Sequence, residues 1–150
     1  MKIIVKTLIL ATAFFLMQDC IFAQTSENSW KMLSSGSQRK IWYDSEALDT
    51  ATSHALSIWT LELHKPPLKI EGVSAPVFKS QTLYNINFDL LRYGIAKIVY
   101  FDASDKIIFQ YDYQKLNTGD DYKYSYPIMD DNQMVTLLKK YIKIKELKEN

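Results

Sequence analysis

An α+β fold is predicted: a single antiparallel β-sheet of about six strands with a C-terminal amphipathic helix packed on it. Three observations carry it. From Thr82 the chain alternates, with Thr82, Tyr84, Ile86 and Phe88 set against Leu83, Asn85, Asn87 and Asp89, the period of a half-buried antiparallel strand. Two β-prone runs, Tyr93 to Phe101 and Lys106 to Tyr113, flank the turn-forming Asp102-Ala103-Ser104-Asp105, as a hairpin requires. Near the end, Met134, Leu137, Leu138, Tyr141 and Ile142 recur at helical spacing, giving one apolar stripe.

The elements follow in chain order. Residues 1–23 read as a secretory signal peptide. Lys2 and Lys6 precede the apolar run Thr7 to Met17, and a more polar end closes on Ala23. That run is well short of the ~20 residues of a membrane-spanning helix, so export without a transmembrane span is expected, to the periplasm or the cell surface. Cys20, the one cysteine of the chain, lies in this leader. Asp19 just before it departs from the small residue a lipidation signal wants, which argues against a lipoprotein. Cleavage after Ala23 leaves no thiol, and so no disulfide, thiolate metal site or cysteine nucleophile.

Residues 24–29 form a short polar lead-in, and residues 30–147 a single domain. Trp30 to Leu33 and Arg39 to Tyr43 read as strands across Ser34-Ser35-Gly36-Ser37, and Asp44 to Thr50 as a capped helical turn or a loop. His54 to Leu63 is the next strand, expected to stop at Lys65-Pro66-Pro67, because proline cannot donate to a ladder. Val77 to Leu90 is the long strand. In the hairpin, Phe101 is expected opposite Lys106. Ala96, Ile98, Tyr100, Ile107, Phe109 and Tyr111 then face the core, with Lys97, Val99, Phe101, Lys106, Ile108 and Gln110 on the wetter side. Asp130 and Gln133 make a capping pair for the final helix, with Asp131 at its positive end and Lys139, Lys140 and Lys143 off the stripe.

Composition excludes several functions. With 18 Lys+Arg and 17 Asp+Glu, and the two signs equal once Lys2, Lys6 and Asp19 leave with the leader, the chain lacks the basic surplus of a nucleic-acid binder. Hydrophobic residues at 47% and charged residues at 23% are globular usage. No nucleophile-elbow, zinc-protease or phosphate-loop motif is present, and no cofactor is implied. His54 and His64 lie ten residues apart along one strand, too far to share a metal unless it bends sharply. Asp102/Asp105, Asp120/Asp121 and Asp130/Asp131 sit where turns and caps already favour aspartate.

Two groups are candidates for holding a partner. Tyr111, Tyr113, Tyr122, Tyr124 and Tyr126 crowd the stretch around Leu116 to Asp121, and tyrosine offers large contact area with few rotors. Of these, Tyr113, Tyr122 and Tyr124 are the chosen contacts. Lys139, Lys140 and Lys143 form the second group, on a basic helix suited to an anionic surface.

Several residues in order resemble the bacterial surface-adhesin protein E family. They are Trp30, then Ile41-Trp42-Tyr43-Asp44, the strand Ser57-Ile58-Trp59-Thr60, the segment Asn87-Phe88-Asp89, a Tyr-rich hairpin and a C-terminal helix after a proline. The resemblance implies a small exported antiparallel domain with a docked helix, a tendency to form homodimers, and binding to extracellular-matrix or serum proteins. Many members carry a cysteine where this chain has Leu90, so their disulfide is absent. The functional expectation is an exported, non-enzymatic binding module for a protein partner. The alternative is a periplasmic hydrolase or carbohydrate-acting enzyme.

Overall fold

The computed structural model describes residues 29–115, 123–130 and 132–149. The expected leader, Cys20, Tyr122 and the aspartates at 120, 121 and 131 lie outside them. One antiparallel sheet runs in the order β1 (Trp30–Ser35), β2 (Arg39–Asp44), β3 (Ala55–Leu68), β4 (Val77–Asn87), β5 (Arg92–Phe101) and β6 (Ile107–Asp112), with the two-residue β7 (Tyr126–Pro127) also pairing β5. A short helix α1 (Ser45–Asp49) follows β2, and the long helix α2 (Gln133–Glu149) ends the fold. Every sheet neighbour in the main path is also a sequence neighbour, so the fold is a meander with a helix laid on it. The α+β architecture expected from the sequence is the one found.

Cross-strand partners in an antiparallel ladder point to the same side, so the register assigns every side chain to a face. One face carries Ile41 and Tyr43 on β2, Ile58 on β3, Tyr84 and Ile86 on β4, and Tyr93 on β5. Both helices sit here. Leu48 of α1 and Met134, Leu137 and Tyr141 of α2 join Ile41, Tyr43, Ile58 and Ile86 in one buried cluster with Leu33 and Phe88. Leu33 reaches that core as the extra residue of a bulge between Met32 and Ser34. The α2 stripe differs from expectation at one position: Ile142 is exposed, while Ile144 packs against the cluster.

Three local expectations are corrected. First, β3 does not stop at Lys65-Pro66-Pro67 but runs on to Leu68. The register jumps between Leu63 and Leu68, so the prolines occupy an irregular stretch where no ladder bond is asked of them. Second, Phe101 faces Ile107 rather than Lys106, and Tyr100 faces Phe109, leaving Ile108 as an extra residue. The turn is the cause. The Asp102 carboxylate accepts from the N–H of Ser104 at 2.8 Å and of Lys106 at 3.0 Å, and the Asp102 N–H donates to the Lys106 carbonyl. Lys106 is thereby held inside the turn and the ladder starts later. Third, a bulge in β5 between the partners of Leu83 and Tyr84 makes Ala96 the unpaired residue. Val99 and Phe101, expected on the wetter side, are both buried, whereas Ile107 and Tyr111, expected in the core, are exposed.

The N-cap of α2 is Asn132, not Asp130. Its side-chain oxygen accepts from the Met134 N–H at 2.8 Å. Asn132→Ala leaves that donor unsatisfied and is expected to cost about 1 kcal/mol, read as a lower urea midpoint with an unchanged slope.

Candidate functional site

The opposite face of the sheet has no α-helix on it among the described residues. Met32 pairs Trp42, Trp42 pairs Leu61, Leu61 pairs Gln81, Gln81 pairs Val99, and Val99 pairs Gln110. A second row runs Trp59, Leu83, Lys97 and Asp112, and a third Lys40, Leu63, Lys79, Phe101 and Ile107. Trp30 lies two residues from Met32 on the same strand. The three tryptophans of the chain therefore share this one face. Trp30, Trp42, Trp59, Leu61 and Leu83 are half-buried, and Met32, Leu63 and Ile107 are exposed by 49%, 41% and 54%.

The charges on this face are unequal. Lys79 is bonded to Asp105 and lies over the Phe101 ring, 4.4 Å from its centre. Lys115 holds Asp112 at 3.7 Å. Lys40 and Lys97 have no ion-pair or hydrogen-bond partner among the described residues.

The residues chosen from sequence fall in separate places. Tyr113, in the single 3-10 turn after β6, stacks on Tyr111 at 6.1 Å, and Tyr111 packs on Phe109 at 4.6 Å. These rings lie beyond the reach of α2, at the far end of the helix-bearing face. Tyr124 is held differently: Arg92 donates to its carbonyl at 2.6 Å, and the Lys123 ammonium sits 5.8 Å from its ring centre. Tyr126 packs on Tyr93 and Tyr93 on Tyr84, beside the start of α2. Gln133 donates to the Tyr84 hydroxyl at 3.1 Å, and burial pushes that phenol up to about 12. Lys139 and Lys143 are exposed, while Lys140 lies 5.4 Å from the Tyr43 ring centre. Tyr113, Tyr124 and the three lysines thus lie in separate places among the described residues.

A polar cluster lies on the helix-bearing face beyond α2. His64, its side chain 6% exposed, places Nε2 3.0 Å from Ser80 Oγ and Nδ1 3.5 Å from a Glu62 oxygen, and Arg39 reaches Glu62 at 3.7 Å. Glu62 faces Ser80 directly across β3 and β4, so the ladder brings the groups together. Arg39, Glu62 and His64 border an open cleft of about 480 Å³ lined also by Lys65, Pro66, Pro67, Leu68 and Lys69, while Ser80 is buried beneath it and does not line it. Ser80 lies inside β4 between two paired strands. Its backbone N–H therefore lies in the sheet plane, and the cluster offers no backbone pair aimed at an oxyanion. His54, at the other end of β3, meets Asp89 at 2.6 Å and the edge of Tyr141.

Burial is the main cause that holds His64 below its ordinary pKa, with Arg39 adding to it and Glu62 opposing. An unfolded histidine titrates near 6.5. Between the folded value and 6.5 the unfolded chain binds more protons, so this contribution is complete above 6.5 and is lost as pH falls through that window. Urea midpoints are expected to drop between pH 7.5 and pH 5, with His64→Gln flattening the drop.

Comparison with protein-family models, with curated proteins and with solved structures finds no match for this chain.

Proposed function

We propose that this chain is an exported binding module that holds a protein partner on the helix-free face of its sheet. The observation that carries it is the gathering of Trp30, Trp42 and Trp59 with Leu61 and Leu83 on a face over which none of the described helices is laid. Large contiguous apolar patches on soluble domains mark interaction sites, and tryptophan is the side chain most over-represented among energetic anchors of interfaces. Export rests on the leader read from residues 1–23. The resemblance to surface adhesins directs the search for partners toward extracellular-matrix and envelope proteins. The test is surface-immobilised mature chain probed with a panel of such proteins. Saturable binding that Leu61→Arg removes is the expected result. Binding that survives Leu61→Arg but falls with Tyr111→Ala and Tyr113→Ala would move the site to the aromatic end of the other face.

One observation favours a second reading, an envelope hydrolase. Ser80, His64 and Glu62 stand in the order nucleophile, base and orienting acid. A fluorophosphonate probe decides it: labelling at Ser80 that His64→Gln abolishes would establish a nucleophile, and an unlabelled chain leaves the cluster a structural network.

A further inference from the structure

We infer that the cleft between the start of β2 and the end of β3 is a second binding site, for an acidic saccharide whose sugar rings carry carboxylates. The break in β3 builds it. Leu63 faces Lys79 and Leu68 faces Val77, so the four residues from His64 to Pro67 stand opposite the single residue Phe78. The surplus chain cannot stay in the ladder, and with it Lys65, Pro66, Pro67 and Leu68 come to line the cleft. The start of β2 supplies the rest. There the Gln38 carbonyl accepts from the Lys65 N–H at 2.7 Å, and Arg39 faces His64 across the ladder. A space of about 480 Å³ is of the size that small ligands occupy.

Three features choose the ligand. The first is surplus positive charge: Arg39, Lys65 and Lys69 line the cleft against the one carboxylate of Glu62. Arg39 reaches Glu62 at 3.7 Å, whereas the Lys65 and Lys69 ammonium groups have no partner among the described residues. Glu71, two residues beyond Lys69, pairs with neither of them. A carboxylate on the ligand would bond both ammonium groups. The second is an acceptor facing the same space. One Glu62 oxygen lies near both Arg39 and His64, and the other has no hydrogen-bond partner among the described residues. A bare sulfate has no donor to give that oxygen, but a sugar hydroxyl does. The third is the apolar lining of Pro66, Pro67 and Leu68, suited to the C–H face of a sugar ring. An extended acidic peptide is held mainly by backbone bonds to a free strand. Here the Lys65 N–H is already taken by Gln38, and the two prolines have none.

The probe is trigalacturonate, titrated into the folded chain by calorimetry, with maltotriose as the neutral saccharide and triglutamate as the acidic peptide. Trigalacturonate is expected to bind saturably, about tenfold tighter than either comparison ligand. Lys65→Gln with Lys69→Gln should weaken it about tenfold, and added salt should weaken it as well. Both side chains are exposed and unpaired among the described residues. The double variant should therefore keep the wild-type melting temperature, which separates loss of the site from loss of the fold. Lys139→Gln with Lys143→Gln, on the basic face of α2, should leave the affinity unchanged. Equal binding of maltotriose overturns the selection for acid, and equal binding of triglutamate overturns the saccharide in favour of a peptide. Binding lost in the α2 variant but kept in the cleft variant moves the site to the helix and overturns the inference. Absence of trigalacturonate binding overturns it outright. None of these results bears on the tryptophan-bearing face, which is tested separately by Leu61→Arg.

Discussion

Replacing Leu137 by alanine is expected to remove about 3 kcal/mol of stability. Leu137 is fully buried in the second turn of α2, in the same cluster as Ile41, Ile58, Ile86 and Leu48. Its side chain packs in the cluster between α2 and the sheet, so truncation leaves a cavity there. A domain of this size has about 5–15 kcal/mol in all, so the variant should melt about 10 °C below wild type. α2 should open first, since its remaining anchors are Met134 and Tyr141 with the partly buried Leu138 and Ile144. Calorimetry and urea unfolding check this, and a loss under 1 kcal/mol would mean that α2 is not seated as described.

The second large effect lies on the other face and runs the opposite way. Leu61→Arg is expected to abolish partner binding while lowering stability by only about 1 kcal/mol. A charge placed at Leu137 would be stranded in the core, because a buried charge without a partner is very costly. At Leu61 the flanking Trp42 and Gln81 are only half-buried, so an arginine can lay its stem along the sheet and keep its guanidinium in water. Binding is different, since a cation at the middle of the apolar strip must be desolvated when a partner closes over it. That contrast, if measured, is what a surface kept apolar for an interaction rather than for folding would give. Melting temperature and surface plasmon resonance on the same preparation read both halves of it.

Much of the architecture was legible in the residues, and the failures have physical causes. The alternation from Thr82 placed Tyr84 and Ile86 on the core side correctly, because one helix covers that row. The Asp44 cap was legible too, its carboxylate accepting from the Glu46 N–H at 3.1 Å. What misled was the assumption that a polar row faces water and an apolar row faces the core. On β3 the row Thr60, Glu62 and His64 lies on the helix-bearing face, whereas Trp59, Leu61 and Leu63 lie on the face without a helix. α2 reaches only part of its face, so the remainder of that face carries polar groups that satisfy each other, as His64 and Ser80 do.

The bulges at Leu33, Ala96 and Ile108 were also hidden. Each inserts one residue and exchanges the faces beyond it, and none is marked by a glycine. Tyr113, Tyr124, Lys139, Lys140 and Lys143 are near in sequence composition but scattered by the fold. The tryptophans, by contrast, are far apart in sequence and gathered by it. The signal that would have found them was the pairing of Trp42 with Leu61, two residues from Trp59 and its partner Leu83.

The most direct test of the central claim, that one face of the sheet is core and the tryptophan-bearing part of the other is kept open, is acrylamide quenching of the native chain's tryptophan emission. Trp30, Trp42 and Trp59 all report the face without a helix. The account predicts that all three are quenched as a single accessible population, well above the quenching of a core tryptophan, and that a bound partner protects them. A blue-shifted emission that acrylamide does not reach in the free monomer would show a second layer over this face, and would contradict the account.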